Sequence, residues 1–275
     1  MKSWKKRALA LTMAALVLLS GCTFPFGQGN DGDGAPVDNV DVSDAYFGLA
    51  WYRSGTTLNP VMDGTEVNSM LREALYEGLF EIKNDFTLEN ELCEDYTSDG
   101  TTFSFTIKKG IKFWSGAELT ASDVAESLKT VLENESSPYH NRLTEVASIE
   151  AVTKRMVRIT LASPNVNFPK LLDIPIYRAG TTDEGEFAEG TGPYKPVQNG
   201  AAWTLEANEN WHGGFLGTIR HITLVKMTRA DAADTSFRTG DVSIMRSARI
   251  APDDQNIAFT GEVDTVPVSS AMLHY

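Results

Sequence analysis

Between Thr101 and Leu132 the chain reads TTFSFTIKKGIKFWSGAELTASDVAESLKTVL, and within that run the apolar spacing changes from strand-like to helix-like. Phe103, Phe105 and Ile107 alternate with Thr102, Ser104, Thr106 and Lys108, the pattern of a strand with one buried face. Gly110 reverses the chain, and Ile111 and Phe113 restart the alternation as a second strand. Thr120 then supplies an N-cap hydroxyl with Asp123 three residues on, which opens a helix burying Val124, Leu128, Val131 and Leu132. Strand, turn, strand, loop and capped helix in unbroken succession predict a mixed α/β domain. Elsewhere, Val152, Val157, Ile159 and Leu161 suggest a hairpin over 149–161 with its turn near Thr153 to Arg155, leaving Lys154, Arg155 and Arg158 in water. Met70, Leu71, Ala74, Leu75 and Leu79 recur at helical spacing and are assigned to the core.

The N-terminus carries a different message. Lys2, Lys5, Lys6 and Arg7 precede an apolar run from Ala8 to Leu19, a charged head and an apolar stretch too short for a membrane-spanning helix, and so a signal peptide. It ends in Leu19-Ser20-Gly21-Cys22, the pattern of a bacterial lipoprotein cleavage site, with a plain secretory signal and an incidental cysteine as the alternative. On the first reading the Cys22 thiol takes a diacylglycerol and becomes the new N-terminus. The mature protein is then lipid-anchored to the extracytoplasmic face of the cell membrane, not membrane-spanning. From Thr23 to about Asp44 the chain is rich in Gly, Asp and Pro and reads as a flexible tether. The expected organisation is a signal peptide over 1–22, a tether over 23–45 and a folded body over 46–275. Gly27, Gly29 and Gly32 have dinucleotide-fingerprint spacing, but no strand precedes them and no helix follows. Asp31 and Asp33 start like a calcium loop whose closing acid is replaced by Val42. Both are rejected.

Charge and chemistry narrow the function. Removing the four positive charges of Lys2, Lys5, Lys6 and Arg7 from a formal net charge of −13 leaves −17, which disfavours nucleic acid as a partner. With Cys22 assigned to the lipid, Cys93 stands alone and is read as a small buried hydrophobe. The four histidines, His140, His212, His221 and His274, form no i,i+4 pair about an acid, and neither a Gly-x-Ser-x-Gly elbow nor a P-loop occurs. No metal and no cofactor are expected. His212, in Trp211-His212-Gly213-Gly214, is read as a solvated turn residue. The acids of 182–186 and Glu133 and Glu135 are read as solvated loop charges.

Several motifs stand in a fixed order. They are Leu58-Asn59-Pro60, Leu75-Tyr76-Glu77-Gly78-Leu79-Phe80, the KKGIKFWSGAELTASDV stretch, Gly190-Thr191-Gly192-Pro193-Tyr194 and the segment Phe237 to Val242. In this order they resemble the family 5 extracellular solute-binding proteins, the oligopeptide, dipeptide and nickel receptors of ABC importers, from about Tyr46 to the last residue. The resemblance implies a periplasmic-binding-protein-like type II lobe. Family members continue well beyond 275 residues, so the second lobe is expected to be incomplete. It also implies a monomeric, non-enzymatic substrate-binding lipoprotein. Such a receptor captures a peptide or similar small solute in a two-lobed cleft and delivers it to an ABC permease and ATPase. Peptide, nickel chelate and sugar all stay open as ligands. A surface lipoprotein hydrolase and a sensing lobe without transport are the alternatives.

In relatives, the loop after the Leu-Asp-Pro motif borders the ligand. Carried onto this sequence, that loop gives Met62, Asp63, Gly64 and Thr65 as ligand-binding candidates, with Tyr52 and Arg53 behind them at the end of an apolar strand, Phe47 to Trp51. Thr65 is also the N-cap of the helix that follows, where exposed amides can meet a ligand. Asn59 replaces the family's usual Asp, losing a charge and keeping an acceptor. Trp51, Tyr52 and Trp114 read as core or interlobe packing. Gly190 to Tyr194 reads as an architectural turn whose glycines permit unusual backbone angles.

Overall fold

The computed structural model describes residues 46–52, 58–62, 66–83, 85–181, 186–227 and 230–244. The expected signal peptide over 1–22, Cys22 and the tether over 23–45 lie outside them. In chain order the elements are β1 (Gly48–Tyr52), α1 (Glu66–Leu75), β2 (Phe80–Ile82), β3 (Leu88–Asn90), β4 (Cys93–Ser98) and β5 (Thr102–Ile107). There follow α2 (Ala121–Glu133), β6 (Val146–Thr153), β7 (Met156–Leu161), β8 (Tyr194–Asn199), β9 (Ala202–Ala207), β10 (His221–Met227) and α3 (Ala230–Thr239). They build two four-stranded sheets, ordered β1-β10-β9-β8 and β4-β5-β7-β6, and a β2-β3 ladder. Only β1 and β10 pair in parallel among these ladders. A parallel pair cannot be closed by a tight turn, and here the whole second sheet lies between its strands in sequence.

The alternation in 102–107 is realised in β5, whose Phe103, Phe105 and Ile107 are buried while the intervening residues are half-exposed. Phe103 stacks on Phe105 at 5.9 Å and meets Phe168 at 5.3 Å, while Tyr96 of β4 leans over Phe105 at 5.5 Å. Such ring pairs add to the burial that holds the sheet's inner face. The second expected strand does not form. Both edges of β5 are taken, by β4 and β7, so Ile111 and Phe113 are buried from a tight loop instead. Phe113 N donates to Ala117 O at 2.8 Å and Leu119 N to Ile111 O at 2.9 Å.

Helix α2 opens where the sequence places it. Thr120 donates from its backbone N and its Oγ1 to Asp123 Oδ2, at 2.9 and 2.6 Å. Asp123 Oδ1 accepts from Ala179 N at 3.0 Å, so the cap also fastens the helix to a distant segment. Val124, Leu128 and Val131 are buried, and Leu132 is half-buried. The hairpin is β6 and β7, with Thr153 opposite Met156. Lys154 is exposed, and so is Arg158. Arg155 is not: its Nε donates to Ile107 O at 2.9 Å and its guanidinium pairs with Glu94. Because β7 starts beside the end of β5, the nearest acceptor for that side chain is the last β5 carbonyl.

The Gly190 to Tyr194 turn is architectural, for a reason other than backbone angle. A Cβ at Gly190 would lie 2.1 Å from Leu75 O, and one at Gly192 would lie 2.5 Å from Leu75 C. Neither glycine is in the left-handed region; both are needed because the chain crosses directly over the end of α1, where Gly192 N donates to Leu75 O at 3.0 Å. At the end of α3, Gly240 does take a left-handed φ of 81°. Asp241 N and Val242 N turn back to Ser236 O at 2.9 and 3.1 Å, the closure of a helix C-terminus. Cys93 is buried, as expected of a small hydrophobe. Burial pushes its thiol up to about 12.

Candidate functional site

Strand β1 delivers the chain to the expected ligand loop. Trp51 is buried beside Phe187, ring centroids 6.3 Å apart, and Phe187 meets Trp203 of β9 edge-on at 5.0 Å. Leu58 makes a parallel bridge to Phe187, so the start of the loop sits on this aromatic group. That satisfies the expected packing role of Trp51, although its indole N–H is buried with no hydrogen-bond partner among the described residues.

From Leu58 the loop is anchored inward and then emerges. Leu58, Asn59 and Val61 are buried. Asn59 Oδ1 accepts from Val61 N at 3.0 Å, and Asn59 O accepts from Met62 N at 3.3 Å. The amide thus keeps the acceptor that the usual Asp would supply, in a compact turn that presents the next side chain. Met62 is 37 % exposed. Its carbonyl accepts from Asn134 Nδ2 at 2.7 Å, which pins the loop tip to the C-cap of α2. Beneath it, Thr130 Oγ1 and Tyr177 Oη lie 2.8 Å apart, and burial raises the Tyr177 hydroxyl above its ordinary pKa.

A short segment beyond Asn134 leads to a charged group that sequence reading did not single out. Arg72 of α1 and Arg142 both pair with Asp173, and both guanidiniums lie over the Tyr139 ring, at 5.8 and 5.1 Å. Two cations share one carboxylate here, with the aromatic face taking part of the charge. The residues stand far apart in sequence, and no local spacing links them.

Of the six expected ligand-binding residues, Met62 is placed at the exposed loop tip. For Tyr52 the structure describes the backbone, the last position of β1, in register with Met227. Arg53, Asp63, Gly64 and Thr65 lie outside the described residues; α1 begins at Glu66, directly after the expected N-cap. Trp114 packs half-buried against the core, 6.1 Å from Tyr76. His212 stands in a turn and is exposed, as read, yet its ring also reaches a buried acid. Its Nε2 lies 2.9 Å from Glu77 Oε1, and Trp211 Nε1 donates to the same oxygen at 3.0 Å. One carboxylate oxygen of Glu77 thus meets both the indole and the imidazole. Glu133, Glu135 and Glu186 are exposed, as read; 182–185 lie outside the described residues. Among the described residues no group of three or more His, Cys, Asp or Glu could hold a metal ion, and no helix is long and apolar enough to cross a membrane.

Comparison with known proteins decides the family. The sequence profile of the bacterial extracellular solute-binding proteins, family 5 (Middle), matches residues 87–273. The chain belongs to that family. Its members are extracytoplasmic, and the relatives that it matches are binding proteins, not enzymes. The glutathione-binding protein GsiB of Salmonella choleraesuis is 31% identical over 156 residues, covering 51% of this chain and 30% of that protein. GsiB of Escherichia coli K12 is 31% identical over 155 residues, with the same shares of 51% and 30%. Among solved structures, the oligopeptide-binding protein AppA of Bacillus subtilis, in complex with a nonapeptide, superposes with a TM-score of 0.60 at 22% identity. That match covers 72% of this chain and 43% of AppA. NikZ of Campylobacter jejuni, in complex with Ni(L-His), gives 0.58 at 18% identity, covering 72% and 42%. The family 5 chain thus has the mixed α/β type II periplasmic-binding-protein fold expected of it, and it spans less than half the length of these relatives.

Proposed function

We propose that this chain is the first lobe of the substrate-binding lipoprotein of an ABC importer. It closes with a second lobe over a peptide or similar small solute and hands that solute to a membrane permease driven by its ATPase. Closure excludes water from the cleft, and backbone and side-chain hydrogen bonds then hold the ligand. The observation that carries this reading is the exposed Met62, held by Asn134 at 2.7 Å and by the Asn59 turn before it. With Met62, the ligand-binding residues of this reading are Tyr52, Arg53, Asp63, Gly64 and Thr65. A glutathione-binding relative and neighbours solved with a nonapeptide and with Ni(L-His) support small polar solutes as the ligand class. A lipid on Cys22, followed by the 23–45 tether, keeps the monomeric receptor on the extracytoplasmic face within reach of its permease.

Uptake in the native cell tests this. Deleting the gene should abolish accumulation of labelled peptide or nickel–histidine, and a copy with Cys22→Ala should appear in the medium without incorporating labelled palmitate. Uptake of every such solute at the parental rate in the deletion strain would overturn the transport assignment.

A further inference from the structure

The turn over 208–214 links β9 to the segment that carries Glu77. It leaves β9 of the first sheet, where Asn208 N donates to Pro193 O and Asn208 Nδ2 to Gly192 O, each at 2.8 Å. Its Trp211 and His212 reach Glu77, in the segment that lies against the start of β4: Leu92 N donates to Gly78 O and Cys93 N to Leu79 O, each at 3.1 Å. Asn210 Nδ2 of the same turn reaches Trp114 O at 3.4 Å, and the two aromatic side chains both end on one Glu77 oxygen. Glu77 is 6% exposed, and its second oxygen, Oε2, is buried with no hydrogen-bond partner among the described residues. A buried carboxylate oxygen left without a donor is costly, and the cost changes with every charge placed near it.

Those charges can be named. His212 faces Glu77 from the turn. Glu91, ahead of β4, sits on the other side of Gly78, whose N donates to Glu91 Oε2 at 2.7 Å. Glu81 of β2 and Arg72 of α1 complete the surroundings, Arg72 being shared with Asp173. Burial, and then the charge of Glu77, push the Glu91 carboxyl up to about 7, against the Gly78 N–H. A proton on Glu91 removes a negative charge from beside Glu77. A proton on His212 turns its hydrogen bond to Glu77 into an ion pair. Both steps act in the same direction.

We propose that Glu77, Glu91 and His212 form a proton-operated latch, which clamps the 208–214 turn to Glu77 in mild acid and loosens that contact as the protons leave. The latch is independent of which solute the receptor takes. It belongs to a family of proteins exposed to the pH of the medium.

The Trp211 indole N–H, which bonds directly to Glu77 Oε1, is a built-in reporter. Its nitrogen-15 resonance in the full-length receptor, assigned with Trp211→Phe, is followed from about pH 5 to about pH 9. It should move with a midpoint near about 7, and Glu77→Gln should abolish the movement. Glu91→Gln or His212→Gln should shift the midpoint or reduce the amplitude. A resonance that stays still across the range in the wild-type protein overturns the latch without recourse to any variant. So does an identical titration in the wild type and in both the Glu91→Gln and His212→Gln proteins.

Discussion

Replacing Gly190 by alanine puts a methyl group where the structure has a backbone oxygen. The new Cβ would lie 2.1 Å from Leu75 O, 2.7 Å from Tyr76 Cδ1 and 3.0 Å from Trp114 Cζ3. The first of these atoms belongs to the end of α1 and cannot rotate away, so the Gly190 segment must lift by about an ångström. Lifting it breaks two hydrogen bonds, Gly192 N to Leu75 O at 3.0 Å and Trp114 N to Gly190 O at 3.1 Å. Each costs about 1 kcal/mol net, and more where a buried group is left unpaired. Overpacking adds roughly 1–3 kcal/mol, for a total on the order of 4 kcal/mol. Gly100 is the control. It holds a left-handed φ of 91° with only Pro164 Cβ near, at 4.0 Å, so Gly100→Ala should cost about 1–2 kcal/mol from backbone conformation alone. Urea unfolding of both variants against the parent measures the difference. A Gly190→Ala protein no less stable than Gly100→Ala would refute the claim that close approach, not backbone angle, fixes this glycine.

Three further outcomes are expected. Asp123→Ala removes the acceptor for Thr120 and for Ala179 N, which should lower stability by roughly 1–2 kcal/mol in the same unfolding assay, whereas Asp123→Asn should recover part of it. Glu91 is held at about 7 against an ordinary 4.5, so the folded state binds this proton more tightly than the unfolded chain does. Its stabilising effect is present below about 4.5 and is lost as pH rises through about 7, amounting to at most about 3 kcal/mol. Unfolding midpoints of Glu91→Gln should accordingly gain on the parent as pH rises, and a gap that does not change with pH would contradict the assignment. Cys93, buried and pushed up to about 12, should resist a thiol reagent near neutral pH in the folded protein and react once urea unfolds it.

Local periodicity made much of this lobe readable. β5, the β6–β7 hairpin and the Thr120–Asp123 cap depend on side chains within a few residues of one another, so their spacing carries the answer. Ile111 and Phe113 show where that reading stops: their alternation is real and both are buried, but strand formation needed a free edge, and β4 and β7 had taken both edges of β5. The bond from His212 to Glu77 was hidden in the same way, because the two residues are 135 positions apart. For the proposed ligand loop, the order of motifs led to Met62, while its link to Asn134 spans 72 positions and could not be read from spacing. The only local hint was an asparagine at the end of a helix.

Solute binding by the whole protein is the decisive measurement for the proposed function. Calorimetric titration of the full-length protein with short peptides, glutathione and nickel–histidine should show saturable binding of at least one solute. Asn134→Ala, which frees the Met62 carbonyl, should weaken that binding while leaving the unfolding transition close to the parent's. Heat from none of these solutes, with the protein folded, would contradict the account.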